Sequence, residues 1–295
     1  MKIQLVAVDM DGTLLSPMGH ISEGNADALR RLQEAGGDFV ICTGRNYGDA
    51  RMFVDEVGLR CDFICMSGAA IFDYEGSPLL KIVLTEAQID EIMEILNKYG
   101  MSADLITNVG YFTTASPEAK YNDYYRAMVS QLPDPDNLPP DLDEKARERM
   151  HNIHFVKSPR EVLDQKIEIF KICSNHLDTD FIIELKKEFL LHPGFDAASS
   201  FPTNIEITDI TARKGLALKT YAGLKGIPLE NVMTIGDSDN DLSMITPEFG
   251  YPVAMGNAMD CVKKAARYQT RTNAEDGVAW AIRTLALGEG AGESV

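Results

Sequence analysis

Cations are scarce in this sequence. Its 295 residues carry 28 Lys and Arg against 45 Asp and Glu, a formal net charge of −17. A surface of that sign repels nucleic acid and anionic membrane, which are held by clustered cations. It repels a phosphorylated metabolite too, so a phosphate site here needs a strong local positive field from a metal, a lysine or a helix N-terminus. Cysteine is also sparse. Cys42, Cys61, Cys65, Cys173 and Cys261 are odd in number and form no Cys-x-x-Cys pair. Free thiols in a reducing cytoplasm are expected, not a disulfide framework. Long apolar runs are missing. The first, Ile3 to Val8, is interrupted by Gln4 and ended by Asp9. It falls far short of the roughly 20 residues of a membrane span and does not read as a secretory signal. No internal repeat or heptad is visible, and Gly223 to Gly226 is too irregular for a nucleotide-binding loop. His151 and His154 have a metal-like spacing but fall at the expected end of a surface helix, so no zinc site is read there.

The apolar fraction, 45%, is ordinary and supplies a sizeable core. The length suits two domains better than one. Ile3 to Val8 reads as a buried strand of a parallel sheet, running into Asp9-Met10-Asp11-Gly12-Thr13. A helix capped by Ser22 follows, with Ala28, Leu29, Leu32 and Ala35 on one face and Gly36-Gly37 stopping it. Phe39 to Cys42 and Phe63 to Met66 are further short strands, ending in Thr43-Gly44-Arg45 and Ser67-Gly68-Ala69. Strand, polar loop and helix in this order predict an α/β sheet, whose ligands bind beyond the carboxyl ends of the strands. A hairpin is expected around Glu75-Gly76.

From Thr85 the character changes. Thr85 and Gln88 make a capping-box pattern before a helix. Two strands are expected around Asn108, a helix over 118–131, a proline-rich exposed loop over 132–140, a strand over 167–173 and a helix over 178–190. Residues 84–192 therefore read as a separate α+β insertion, with 1–83 and 193–295 forming one discontinuous core. The α/β pattern resumes with strands at Phe195 to Ser199 and Ile205 to Thr208. It continues through a helix from Lys214 closed by Gly223, a buried strand ending at Gly236-Asp237, a strand from Tyr251 to Met255, and helices near 258–265 and 278–287 that include Trp280. The small, acidic tail from Gly288 reads as a frayed end.

Asp9 and Asp11 end one strand, and Asp237 and Asp241 end another over two hundred residues later. Carboxylates converging at strand ends suit a hard cation such as Mg²⁺. Each piece alone also fits a plain turn or a capped helix start. Together, and in this order, the motifs resemble the haloacid dehalogenase-like hydrolases, specifically the Cof-type phosphatases with a large insertion cap. Asp9-Met10-Asp11-Gly12-Thr13-Leu14-Leu15 resembles their first motif and Thr43-Gly44-Arg45 their second. Arg213-Lys214-Gly215 resembles the third and Gly236-Asp237-Ser238-Asp239-Asn240-Asp241 the fourth. Met255-Gly256-Asn257-Ala258 and Glu275-Asp276-Gly277-Val278 match later core segments. Ser67 departs from the family's usual asparagine, keeping a hydrogen-bonding group with a shorter reach.

The resemblance implies a Rossmann-like parallel-sheet core with helices on both faces and an inserted α+β cap. It implies a phosphoric monoester hydrolase acting on a small phosphorylated metabolite, such as a sugar phosphate or phosphorylated cofactor. Asp9 would be the nucleophile and Asp11 the general acid and base. Mg²⁺ would be held by Asp9, the Asp11 backbone carbonyl and Asp237, with Asp241 and Asn240 in support. Thr43 and Lys214 would hold phosphate, with Gly12 and Gly44 lining its site, and Arg45 would either meet substrate or form a structural ion pair. A phosphotransferase or phosphomutase would share this chemistry. A non-catalytic scaffold would be expected to lose Asp9, Asp11 or Lys214, and none is lost.

Overall fold

The structure, a computed structural model, describes residues 2–130, 137–200 and 202–289. The chain opens with β1 (Leu5–Val8), α1 (Glu23–Glu34), β2 (Asp38–Cys42), α2 (Tyr47–Glu56), β3 (Asp62–Cys65), β4 (Ala70–Phe72) and β5 (Pro78–Lys81). An inserted stretch follows, with α3 (Glu86–Lys98), β6 (Asp104–Thr107), β7 (Gly110–Thr113), α4 (Pro117–Ser130), α5 (Leu142–Glu148), β8 (Ile153–Phe155), α6 (Arg160–Leu163), β9 (Ile169–Asn175), α7 (Thr179–Leu190) and β10 (Phe195–Ala198). The remainder is β11 (Asn204–Asp209), α8 (Lys214–Leu224), β12 (Val232–Gly236), β13 (Tyr251–Ala254), α9 (Asp260–Ala265), β14 (Tyr268–Gln269) and α10 (Gly277–Ala281). Among the described residues no helix is long and apolar enough to cross a membrane.

Two compact units result: residues 1–82, 198–201 and 208–295 form one, and 83–197 with 202–207 the other. In the first, eight strands lie in the order β14-β13-β12-β1-β2-β3-β4-β5. The strands from β14 to β3 are parallel, and β4 and β5 turn antiparallel at one edge. Every residue of β1 and β12 is buried, which is why both read as unbroken apolar runs. Chain order runs outward from β1 to β3 on one side and from β12 to β14 on the other. The succession therefore reverses between β1 and β12, where open α/β sheets form their ligand crevice. Register places Val8 beside Ile235, so the residues just past each strand emerge side by side.

Helix α1 starts because the Ser22 hydroxyl accepts the Asn25 N–H, and it buries Ala26, Ala28, Leu29 and Leu32. Each such leucine contributes about 1.5–3 kcal/mol by leaving water. Asn25, fully buried, donates to the Leu14 carbonyl and accepts from the Ala279 N–H, tying α1 to the first loop and to α10.

The second unit carries a six-stranded sheet in the order β10-β11-β9-β6-β7-β8. One face packs Leu105, Phe112, Ile172, Ile205 and Ile207 against Ile89, Ile92 and Leu96 of α3 and Ile182, Leu185 and Phe189 of α7. Thr85 and Gln88 make the expected capping box.

The core strands expected at Phe195 to Ser199 and Ile205 to Thr208 exist as β10 and β11, but they belong to this second sheet. Ile205 lies opposite Ser174 and Ile207 opposite Ile172, antiparallel to β9. The insertion thus extends beyond 84–192, since a short apolar strand does not itself say which sheet it joins. Helix α8 also runs past Gly223 to Leu224, because the left-handed turn that ends it is taken by Gly226. His154 lies on β8, its ring tilted against Phe112, rather than at a helix end. Much of the expected proline-rich loop, at 131–136, and most of the tail, at 290–295, lie outside the described residues.

Candidate active site

The site is built where β1 and β12 end. The Asp9 N–H donates to the Ile235 carbonyl at 3.0 Å, which carries the strand pairing one residue further and sets Asp9 beside β12. Asp9 is 4% exposed. The chain then turns sharply through Gly12, at φ +79°. A Cβ there would lie 2.4 Å from Asp237 Oδ2, so glycine answers both the backbone angle and the approach of the carboxylate. The same turn lets the Thr13 hydroxyl donate to Asp237 Oδ1 at 2.8 Å. Asn257, after β13, fastens the turn by donating to the Gly12 carbonyl at 2.8 Å.

Lys214 is the first residue of α8, a position the helix dipole disfavours for a cation. Its side chain reaches the buried carboxylates instead. The ammonium donates to Asp9 Oδ1 at 2.7 Å, to Asp241 Oδ1 at 2.7 Å and to Asn240 Oδ1 at 3.3 Å. The other Asp241 oxygen accepts from the Asp237 and Ser238 backbone N–H groups, so that carboxylate is spent on holding the loop and the lysine. The β3–β4 turn steadies the start of α8. Met66 and Ser67 are both left-handed, at φ 51° and 59°, and Gly68 follows at φ +102°. A Cβ on Gly68 would stand 2.4 Å from the Arg213 carbonyl carbon and 2.7 Å from the Lys214 nitrogen.

Burial shapes the charges. It pushes the Asp9 carboxyl well above its ordinary range; Asp241 adds to the rise and Lys214 opposes it. Asp237 is pushed up to about 7, by burial first and then by Asp241. Burial pulls the Lys214 ammonium down, but Asp241 and Asp9 more than offset this and hold it charged. Asp9, Asp237 and Asp241 each offer a carboxylate oxygen within 4.8 Å of the others. With the one lysine among them, three carboxylates leave two negative charges uncompensated when all are ionised. An all-oxygen donor set with that deficit fits a hard divalent cation.

Of the residues expected at the site, Asp9, Asp237, Asp241, Asn240 and Lys214 are brought together. Thr43, 1% exposed, directly follows β2, and its hydroxyl oxygen accepts the Arg45 N–H at 3.2 Å. Gly44 lies between them. The Asp11 side chain is not part of the cluster: both of its oxygens are taken by Arg45. Of the two readings of Arg45, the ion pair is the one this structure contains. Phe53 of α2 lies against the Arg45 guanidinium, 4.8 Å from ring centroid to Cζ. Sequence reasoning missed Phe53, because nothing in a helix placed after Thr43-Gly44-Arg45 marks which of its residues turns back to the loop.

Comparison with known proteins agrees with this arrangement. A family model described as haloacid dehalogenase-like hydrolase matches residues 6–282. A 5-amino-6-(5-phospho-D-ribitylamino)uracil phosphatase of Bacillus subtilis is 31% identical over 97% of this chain and 96% of its own. A pyridoxal phosphate phosphatase of Escherichia coli is 26% identical over 95% of this chain and 97% of its own. Among solved structures, a haloacid dehalogenase-like hydrolase from B. subtilis superposes with a TM-score of 0.84 at 28% identity, covering 96% of this chain and all of that one. Fold, strand-end carboxylates and full-length similarity lead to one assignment: this chain belongs to the haloacid dehalogenase-like hydrolases.

Proposed function

We propose that the chain hydrolyses small phosphate monoesters through a phospho-aspartate on Asp9, with Mg²⁺ as its resident cation. The observation that carries this is the buried Lys214 ammonium held between Asp9 and Asp241 at 2.7 Å each. A lysine so placed opposes the rise that burial gives the Asp9 carboxyl, fixes its orientation and helps it meet a phosphate dianion in a chain of net charge −17.

In the first step an Asp9 oxygen attacks phosphorus. The bond from phosphorus to the leaving oxygen breaks, and Asp11 gives that oxygen its proton. In the second step the Asp11 carboxylate takes a proton from water, the water oxygen bonds to phosphorus, and the bond to Asp9 breaks. Phosphate leaves and both aspartates return to their starting state. Lys214 and the Thr43 hydroxyl hold phosphate oxygens through both steps, with the Gly44 and Gly12 turns bordering them. Asp9, Asp237 and the Asp11 backbone carbonyl would hold Mg²⁺, and Asp241 and Asn240 would keep Lys214 and the Asp237 loop in place. When bound, the ion supplies charge neutralisation that lets one anion attack another.

The relatives named for a phosphorylated ribitylamino uracil and for pyridoxal phosphate support a small phosphorylated metabolite as substrate. Leaving-group selection is assigned to the inserted unit, acting as a cap, because the strand-end residues are committed to phosphate and cation. The test is intact-protein mass spectrometry of rapidly quenched reactions with peptide mapping. A substrate-dependent phosphoryl adduct on Asp9, lost in Asp9→Asn, is expected. Inversion at a chiral phosphorus would instead mean direct transfer to water and end the two-step reading.

A further inference from the structure

Arg45 grips Asp11 with unusual definition for an accessible pair. Nε donates to Oδ2 at 2.8 Å and an Nη nitrogen donates to Oδ1 at 2.6 Å. Such a fork-to-fork contact fixes the plane of a carboxylate as well as its position. The main chain of Arg45 is fixed in turn: its N–H donates to Thr43 Oγ1 and its carbonyl accepts the Met66 N–H at 2.9 Å. The ring of Phe53 supports the guanidinium. The two side chains are 32% and 46% exposed, so the pair adds little to stability. Its geometry must therefore be explained by something other than holding the fold.

We propose that Arg45 is a positioning residue for Asp11, aiming the Asp11 carboxyl at the leaving-group oxygen during proton transfer. This rests on the proposed function, in which Asp11 is the acid and base. A protonated carboxyl keeps acceptor capacity. Arg45 can thus retain one of its two bonds while the other Asp11 oxygen delivers a proton to the leaving oxygen, as the phosphorus–oxygen bond breaks and the bond to Asp9 forms. Once ionised, Asp11 regains both bonds and is oriented to take a proton from the attacking water. Arg45 gives and takes no proton itself. Without it the Asp11 side chain is released to other rotamers, and a misplacement of about 1 Å is enough to cost on the order of 10²-fold.

The experiment compares Arg45→Met, Arg45→Lys, Phe53→Leu, Asp11→Asn and the Arg45→Met/Asp11→Asn double variant of the full chain with Mg²⁺. Two substrates are used: a primary alkyl phosphate turned over by the wild type, and 4-nitrophenyl phosphate, whose leaving group needs no proton. Arg45→Met is expected to lower kcat on the alkyl phosphate by about 10–10²-fold, within the span of a lost general acid. It should leave KM, and the 4-nitrophenolate burst rate, within about 3-fold. Arg45→Lys, which offers no fork, should lose an intermediate amount, and Phe53→Leu should show the same pattern more weakly. Adding Arg45→Met to Asp11→Asn should cost nothing further, because its target is gone. A KM rise equal on both substrates, or effects that multiply in the double variant, would overturn the proposal and put Arg45 on the substrate. So would full alkyl phosphate turnover in Arg45→Met beside a crippled Asp11→Asn. An active Asp11→Asn on the alkyl phosphate would sink the acid–base reading itself, and the two failures are thereby distinguished.

Discussion

Replacing Lys214 by methionine keeps the length of the side chain and removes its charge. The three acceptors it serves then lose their donor, and two of them are carboxylates with side-chain exposures of 6% and 0%. Removing one partner of a buried ion pair costs about 3–5 kcal/mol, because the charge left behind is neither solvated nor paired. The exposed pair Lys145–Asp141, at 55% and 46%, is worth at most about 1 kcal/mol by comparison and provides the control. A loss of 3–5 kcal/mol is a large part of the roughly 5–15 kcal/mol that holds a domain together. At about 2–4 °C per kcal/mol for a domain of 150–250 residues, the melting point should fall by about 6–20 °C. The readout is selective, since the sequence has one tryptophan and Trp280 lies on α10, in the unit that carries the site. Its fluorescence in urea, with EDTA present, follows that unit alone. Asp9→Asn in the Lys214→Met background should recover part of the loss, since it removes one of the stranded charges. A Lys214→Met protein with a wild-type urea midpoint, or a double variant less stable than the single, would refute the reasoning.

Three further outcomes are expected. Asp237 in the metal-free protein sits at about 7, above its unfolded value. A raised carboxyl contributes stability that is present at low pH and lost as pH rises through the folded value. The urea midpoint in EDTA should therefore fall between pH 6 and pH 8, Mg²⁺ should restore more at pH 8, and Asp237→Asn should flatten the profile; a midpoint that rises over this range in EDTA would be the contrary result. Gly12→Ala adds about 1–2 kcal/mol of left-handed strain and sets a methyl 2.4 Å from Asp237 Oδ2, so the Mg²⁺ concentration for half-maximal turnover should rise; an unchanged titration curve would show the turn to be slack. Ser67→Asn should raise the unfolding free energy from urea titration by up to about 1 kcal/mol, because asparagine tolerates φ 59° better than serine, whereas Ser67→Val should lower it, and the reverse order would discount backbone strain there.

The features legible in the sequence are the local ones. Asp9 and Asp237 each come directly after a run of buried strand residues, so the strand ends could be found without the fold. The caps at Ser22 and Thr85 are equally local, each a hydroxyl meeting an N–H three residues on. The second sheet was a different matter. Ile205 and Ile207 alternate with polar neighbours as any half-buried strand does, and only their pairing with Ser174 and Ile172, some thirty residues back, decides which sheet they join. Pairing partners of that kind are set by the whole topology, not by the strand's own residues.

The same distinction runs through the site. Residue identities and expected roles at Asp9, Lys214, Asp237 and Asp241 could be proposed from the order and resemblance of the motifs, but the contacts that each side chain makes could not. In the fold, Asp241 is turned inward to two backbone N–H groups and the lysine, while Asp237 is turned to Thr13. Asp11 stands two residues from Asp9, yet its carboxylate leaves the cluster for Arg45. The divergence begins in the backbone: Asp11 is extended, at φ −75° and ψ 120°, and Gly12 then takes φ +79°. That turn keeps the Asp11 charge out of a cluster already carrying three carboxylates, where a fourth would be repelled without screening by water. Separating the two aspartates gives one a lysine partner deep in the fold and the other an arginine partner at the solvent. Two identical side chains thus acquire different electrostatic settings, as the proposed roles of nucleophile and acid–base group require.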